Sequence, residues 1–281
     1  MNWILLLLLC LVISVSINSS LICSMSDTNG EECCTSLVPY VKPVILREFF
    51  GDHRNVTIGG RMFRLHQDWQ RNGVAGVIWD SGIVLARYIS EHPELVANRT
   101  VLELGAGLGL PSIISTYQNA KLIHVTDRLS AVSLLGENVR QNANNDCDMK
   151  IFAFDWNIDK LPQKYQVILG ADLIYGGITF EPLVKLFEDA SDHDTVIYLC
   201  SKIRYERDQD FYRQLLQKQF DVREIFYETE FAVNIFEIKK LANYCSTRMY
   251  EEKKNVTTDA VILSMCDECG IKSLVLMRNG L

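Results

Sequence analysis

The chain has 281 residues, 48% of them hydrophobic, and 28 Lys and Arg against 35 Asp and Glu give a net charge of -7. This allows one domain of good size with a large core, and leaves length for extensions. The acidic balance argues against nucleic acid as the main partner and suits a basic protein or peptide.

Residues 1–37 read as a hydrophobic leader and linker. Residues 4–15 are almost wholly apolar. The run is shorter than the roughly 20 apolar residues a membrane span needs, and it fits a signal-peptide core, with Ser16, Ser19, Ser20 and Ser24 behind it. No basic residue precedes it; the first Lys or Arg is Lys42. The other reading is an upstream start codon, because Met25 begins a polar segment that makes an ordinary cytosolic terminus. A cytoplasmic protein is expected; the alternative is the secretory pathway, or a membrane anchor through residues 4–15.

Residues 56–58 and 62–65 pattern as a hairpin around Gly59-Gly60. Residues 83–89 form an amphipathic helix for which Asp80 is the expected N-cap. Strands and helices then alternate: strand 100–104, helix 110–117, strand 122–126, helix 131–142, strand 150–154, strand 167–171, helix 180–189, strand 195–200 and helix 207–218. Such alternation predicts an α/β fold with a doubly wound, mostly parallel sheet. Segments 222–227 and 231–238 are strands joined by a short turn, an antiparallel hairpin at one edge. Residues 38–240 make this domain, and 241–281 form a C-terminal extension to which no role is assigned.

The nine cysteines are an odd, scattered set. Cys147 and Cys200 fall in predicted core elements and read as small buried hydrophobes. Cys266-Asp267-Glu268-Cys269 has zinc-knuckle spacing but lacks a second ligand pair, so no metal is expected.

The most informative segment is Val101-Leu102-Glu103-Leu104-Gly105-Ala106-Gly107-Leu108-Gly109-Leu110. An apolar strand enters it, three alternate glycines cross it and a helix leaves it. Glycine there permits unusual backbone angles and lets a ligand approach the main chain. A dinucleotide fingerprint needs G-x-G-x-x-G; here the third glycine comes one residue early, which disfavours a nicotinamide-dependent oxidoreductase. Asp127 ends the second strand about 20 residues beyond Gly107, where an acid grips ribose hydroxyls in nucleotide-binding α/β folds. Its other reading is the N-cap of the next helix, a role Ser130 can fill. Glu103, the glycine loop, Asp127, Asp155-Trp156 and Ala171-Asp172 all fall at carboxyl ends of strands, where ligands of such sheets lie. Trp156 offers a flat face to an adenine and Asp155 an acceptor to its amine; the alternative is a tryptophan packed on the sheet edge. Asp172 and Tyr175 leave the fourth strand together. A carboxylate and an aromatic face suit the cation formed when an amine is methylated.

With these residues goes a resemblance. Gln67-Asp68-Trp69, Gly73-Val74-Ala75, Val77-Ile78-Trp79-Asp80, Glu103-Leu104-Gly105-Ala106-Gly107, Val125-Thr126-Asp127-Arg128, Leu169-Gly170-Ala171-Asp172-Leu173-Ile174-Tyr175 and Ile203-Arg204-Tyr205-Glu206-Arg207-Asp208 resemble segments of the protein-lysine methyltransferases of the methyltransferase-like 21 group. These belong to the seven-β-strand, Rossmann-like class I methyltransferases. The resemblance implies S-adenosylmethionine as cofactor, contacted by Trp79, Gly105, Ala106, Gly107, Asp127, Trp156 and Ala171. It also implies a D-x-x-Y motif, Asp172 and Tyr175, near the target lysine. The Gln-Asp-Trp and Ile-Arg-Tyr-Glu-Arg-Asp segments look most like the member that methylates 70-kDa heat-shock chaperones; members acting on elongation factor 1A or the valosin-containing ATPase are alternatives. A monomer with a protein substrate is expected, with a catalytically inactive binding module as the competing reading. Intact Gly105, Gly107, Asp127 and Asp172 weigh against that competitor.

Overall fold

The computed structural model describes residues 50–174, 180–218 and 220–241. The leader, the extension from residue 242, Tyr175 and the Cys266/Cys269 pair lie outside the described residues. Among the described residues no helix is long and apolar enough to cross a membrane.

Strands β1 (His53–Ile58) and β2 (Arg61–His66) pair antiparallel across Gly59 and Gly60. Both glycines take left-handed angles, φ 56° and 75°. Two successive left-handed residues make the tight turn that matches strand twist, and glycine adopts them without a Cβ clash. Val56, Ile58, Phe63 and Leu65 alternate inward and are buried. The outer edge of β2 is covered in an unusual way. Asn138 Oδ1 accepts the His66 N–H at 2.7 Å and its Nδ2 donates to the His66 carbonyl at 3.0 Å. One helical turn later Asn142 does the same for Arg64, at 3.0 Å in both directions. The helical repeat of four thus meets the strand repeat of two, and side-chain amides stand in for a third strand.

The chain continues through α1 (Trp69–Asn72), a 3-10 turn (Gly73–Gly76) and α2 (Asp80–Glu91). The main sheet then begins: β3 (Thr100–Leu104), α3 (Leu110–Tyr117), β4 (Leu122–Asp127), α4 (Val132–Asn142), β5 (Met149–Ala153), β6 (Val167–Ala171), α5 (Phe180–Ala190), β7 (Val196–Ser201), α6 (Glu206–Gln217), β8 (Phe220–Glu228) and β9 (Val233–Lys240). The strand order is β5-β4-β3-β6-β7-β9-β8. The first five are parallel; β9 runs antiparallel to both β7 and β8, so the expected hairpin inserts its second strand between β7 and its first.

The central strands β3, β6 and β7 are mostly apolar because both their faces are covered. Alternate residues divide between two cores. Val101, Val167, Leu169 and Tyr198 pack with the hairpin, α2, α3 and α4. Leu102, Leu104, Ile168, Ile197 and Leu199 pack with α5 and α6, around Phe187, Phe211 and Leu215. Burying each such side chain contributes about 1.5–3 kcal/mol. The order also fixes where a ligand can lie. From β3 the chain moves outward to β4 and β5, then returns to β6 on the other side of β3. The crevice beyond the carboxyl ends of β3 and β6 is the topological switch point.

Three expectations are corrected. Asp80 is the first residue of α2, not its cap; Trp79 holds the cap position and makes no side-chain capping bond. Neither Asp127 nor Ser130 caps α4, whose cap position is Ala131. Cys147 lies in the loop before β5 and is only partly buried, whereas Cys200 is in the core. The Asn145-Asp146 turn breaks α4's pattern before Cys147.

Candidate active site

Gly105, Gly107 and Gly109 all have left-handed backbones, φ 57°, 55° and 80°. Alternation of this kind is accessible to glycine and strained for other residues. Gly105 and Gly109 are also pressed by a neighbour. A Cβ on Gly105 would lie 2.7 Å from Leu173 Cδ2 and 3.9 Å from Trp156 Cζ3; one on Gly109 would lie 2.6 Å from Leu135 Cδ1. Trp156 therefore faces the glycine loop, with its ring half-buried against the second core.

Two anchors hold the loop. Asp127 Oδ2 accepts the Gly107 N–H at 2.8 Å, and the adjacent Ala106 N–H goes to the Thr126 carbonyl at 3.0 Å. Asp127 is 7% exposed. Burial pushes its carboxyl up, against the Gly107 and Arg128 N–H groups that pull it down. Glu103 lies beneath the loop, 1% exposed, and its Oε2 accepts the Ser112 N–H at 2.9 Å in the first turn of α3. Burial pushes the Glu103 carboxyl up to about 8, with the Ser112 bond opposing. Its geometry is that of a buttress that fixes where α3 begins.

The 3-10 turn flanks the loop from the other side. A Cβ on Gly107 would touch the Ala75 carbonyl at 3.5 Å. That segment is fixed by Trp79, whose Nε1 donates to the Val74 carbonyl at 2.8 Å, and by the Asp68 N–H, which donates to the Gly76 carbonyl at 2.8 Å. Gln67, buried, accepts the Ile78 N–H at 3.1 Å and donates to the Gly51 carbonyl at 3.1 Å. Asp155 is turned outward. Its Oδ1 accepts both the N–H and the side-chain amide of Asn157, at 2.9 and 2.7 Å, and these bonds hold its carboxyl below the usual carboxylate range.

Ala171 ends β6 beside β3, where Gly170 pairs with Leu104, and Asp172 follows it. Asp172 is left-handed, φ 55°, an arrangement that costs a non-glycine residue about 1–2 kcal/mol and calls for external support. Arg204 supplies it. Nη1 and Nη2 of Arg204 meet Oδ1 and Oδ2 of Asp172, each at 2.9 Å. The Asp172 N–H also donates to the Cys200 carbonyl at 2.8 Å.

Glu103, the glycine loop, Asp127, Ala171 and Asp172 therefore gather at the ends of β3, β4 and β6, with Trp156 across from Gly105; Trp79 stands at the head of α2, and Asp155 is the outlier. Three participants escaped the reading of site residues. Arg204 lies within a quoted segment, and its position just past the end of β7 is the signal that singles it out. Gly76 and Leu173 matter through close packing that no spacing rule reveals.

A family model described as lysine methyltransferase matches residues 59–218. Protein N-lysine methyltransferase METTL21A of Danio rerio is 35% identical over 73% of this chain and 96% of its own length. The Mus musculus protein of that name is 32% identical over the same shares. EEF1A lysine methyltransferase 3 of Xenopus tropicalis is 29% identical over 66% of this chain and 84% of its own length. Among solved structures, the T. thermophilus 16S rRNA N2 G1207 methyltransferase (RsmC) in complex with AdoMet and guanosine aligns with a TM-score of 0.53 at 19% identity. That alignment covers 67% of this chain and 50% of that one, a likeness of fold.

Proposed function

Because the chain belongs to the lysine methyltransferase family, we propose that it methylates lysine Nζ on a 70-kDa heat-shock chaperone, using the crevice beyond β3 and β6. The observation that carries the reading is the glycine loop itself. Three left-handed glycines, fastened by Asp127 and faced by Trp156, turn the backbone tightly at the switch point. That cradle fits S-adenosylmethionine. Asp127 stands where ribose hydroxyls are held, Trp156 where the adenine stacks, and Trp79, Gly105, Ala106, Gly107 and Ala171 line the remainder. When bound, this cofactor supplies its sulfonium methyl, the C–S bond breaking with its electron pair on sulfur as the amine lone pair forms the C–N bond. The chain's own work is positional: it holds a neutral amine in line and stabilises the cation that forms. Asp172 is the group proposed to face that amine, with Tyr175 completing the motif.

The chaperone is favoured over elongation factor 1A by the Gln67-Asp68-Trp69 and Ile203-to-Asp208 segments. The enzyme is read as cytoplasmic, since Met25 begins an ordinary polar segment, and as a monomer. The test incubates the full chain with labelled S-adenosylmethionine and, separately, purified 70-kDa chaperone and elongation factor 1A. Label on a chaperone lysine is expected. Label on elongation factor 1A alone would replace the substrate assignment, and label on neither would overturn both.

A further inference from the structure

The Asp172–Arg204 pair is itself held from behind. Asp208 is 2% exposed, and its Oδ2 accepts the N–H groups of Arg204 at 2.9 Å and of Tyr205 at 3.0 Å. The chain of support runs from Asp208 through the Arg204 backbone to both oxygens of Asp172. Four other ionisable groups feel this pair. Asp80, at the start of α2, and Asp208 act on Arg204; Cys200 and Tyr212 feel Asp172. Burial pushes both the Cys200 thiol and the Tyr212 phenol up, which keeps them neutral. Asp208 Oδ1 is buried with no partner among the described residues.

This arrangement bears on a requirement of amine methylation: a protonated amine has no lone pair with which to attack. A bare carboxylate beside a lysine favours the ammonium and so works against reaction. A guanidinium seated on both carboxylate oxygens cancels that charge, yet leaves each oxygen a second lone pair to accept an amine N–H. We infer that Arg204 is a positioning residue that fixes Asp172 in its left-handed conformation and neutralises it, so that the target lysine is oriented in its uncharged form. The inference rests on the reading that places the amine at Asp172.

The test is the pH dependence of initial methylation rate, with the full chain, labelled S-adenosylmethionine and a desalted cell lysate, which offers many protein lysines at once. Calorimetric binding of S-adenosylmethionine by each variant serves as the control for folding. Arg204→Met should lower the rate at pH 7.5 at least about tenfold and move the rising limb of the profile up by about one pH unit or more, the effect of removing a compensating charge. Arg204→Lys, which keeps the charge without the fork, should lose rate but keep the limb where the wild type has it. Arg204→Gln, neutral and polar, answers the same question should the Met variant fail to fold. A neutral variant that binds cofactor and loses rate with an unmoved limb would show a merely structural arginine and overturn the inference. Asp172→Asn working at the wild-type rate would instead overturn the placement of the amine.

Discussion

Asp127 Oδ2 accepts the backbone N–H of Gly107 at 2.8 Å, so a carboxylate at the end of β4 fastens the turn that leaves β3. Its other oxygen takes the Arg128 N–H at 2.7 Å. Asp127→Ala leaves both donors without their acceptor, at a cost of at least about 1.5–3 kcal/mol, the worth of one hydrogen bond to a charged group. Urea unfolding should show that loss, and calorimetry should show weaker binding of S-adenosylmethionine. An unchanged midpoint with weakened binding would mean that the carboxylate serves only the ligand.

Glu103 makes stability depend on pH in a stated direction. Burial raises its folded pKa from 4.5 to about 8, so the folded protein holds a proton that the unfolded chain has released. This contribution is complete below pH 4.5, declines between 4.5 and about 8, and is gone above that. The slope for one proton is about 1.4 kcal/mol per pH unit at most. Glu103→Gln cannot ionise and should flatten the decline in unfolding free energy across that window. A slope equal to the wild type's would mean that Glu103 does not hold the proton.

Two glycines separate conformational strain from crowding. At Gly60 a Cβ would meet nothing within 4 Å, so Gly60→Ala should cost only the left-handed backbone, about 1–2 kcal/mol. At Gly76 a Cβ would lie 2.2 Å from the Asp68 carbonyl oxygen, and that backbone must move. Gly76→Ala should cost about 3 kcal/mol, the upper end for overpacking, and should weaken cofactor binding, because the same segment abuts Gly107. Thermal melts of the two variants side by side decide the order.

The strands and the glycine loop were legible because their signals are local. Strands β3 and β6 and helix α3 match the predicted bounds, since β3 stops at Gly105, β6 at Asp172 and α3 at the polar Gln118-Asn119 pair. Hidden features depend on distant partners. Nothing near Asp172 announces that Arg204, 32 residues on, will take both its oxygens. Glu103 reads as a ligand contact from its place at a strand end, yet its carboxyl is committed to Ser112. Asp155 shows the same limit: its neighbour Asn157 claims it in a local turn. Strand-end position says where a side chain starts and not what it bonds.

The paired asparagines on α4 give the last prediction. Asn138 is fully buried and satisfies both His66 backbone groups, with a further bond from Nδ2 to the Leu134 carbonyl at 3.2 Å. Asn142 makes the same pair of bonds to Arg64 nearer the surface, where water can replace it. An unsatisfied buried group costs about 1–3 kcal/mol, so Asn138→Ala should lose about 2–3 kcal/mol and Asn142→Ala about 1. Asn138→Asp should be worse than alanine. It keeps the acceptor for the His66 N–H but sets a buried negative charge against two carbonyl oxygens. Hydrogen exchange at the His66 amide reads the effect directly, and it should speed up in Asn138→Ala while the β3 amides stay protected. Equal protection of His66 in variant and wild type would mean that the hairpin is held by Val56, Phe63 and Leu65 alone.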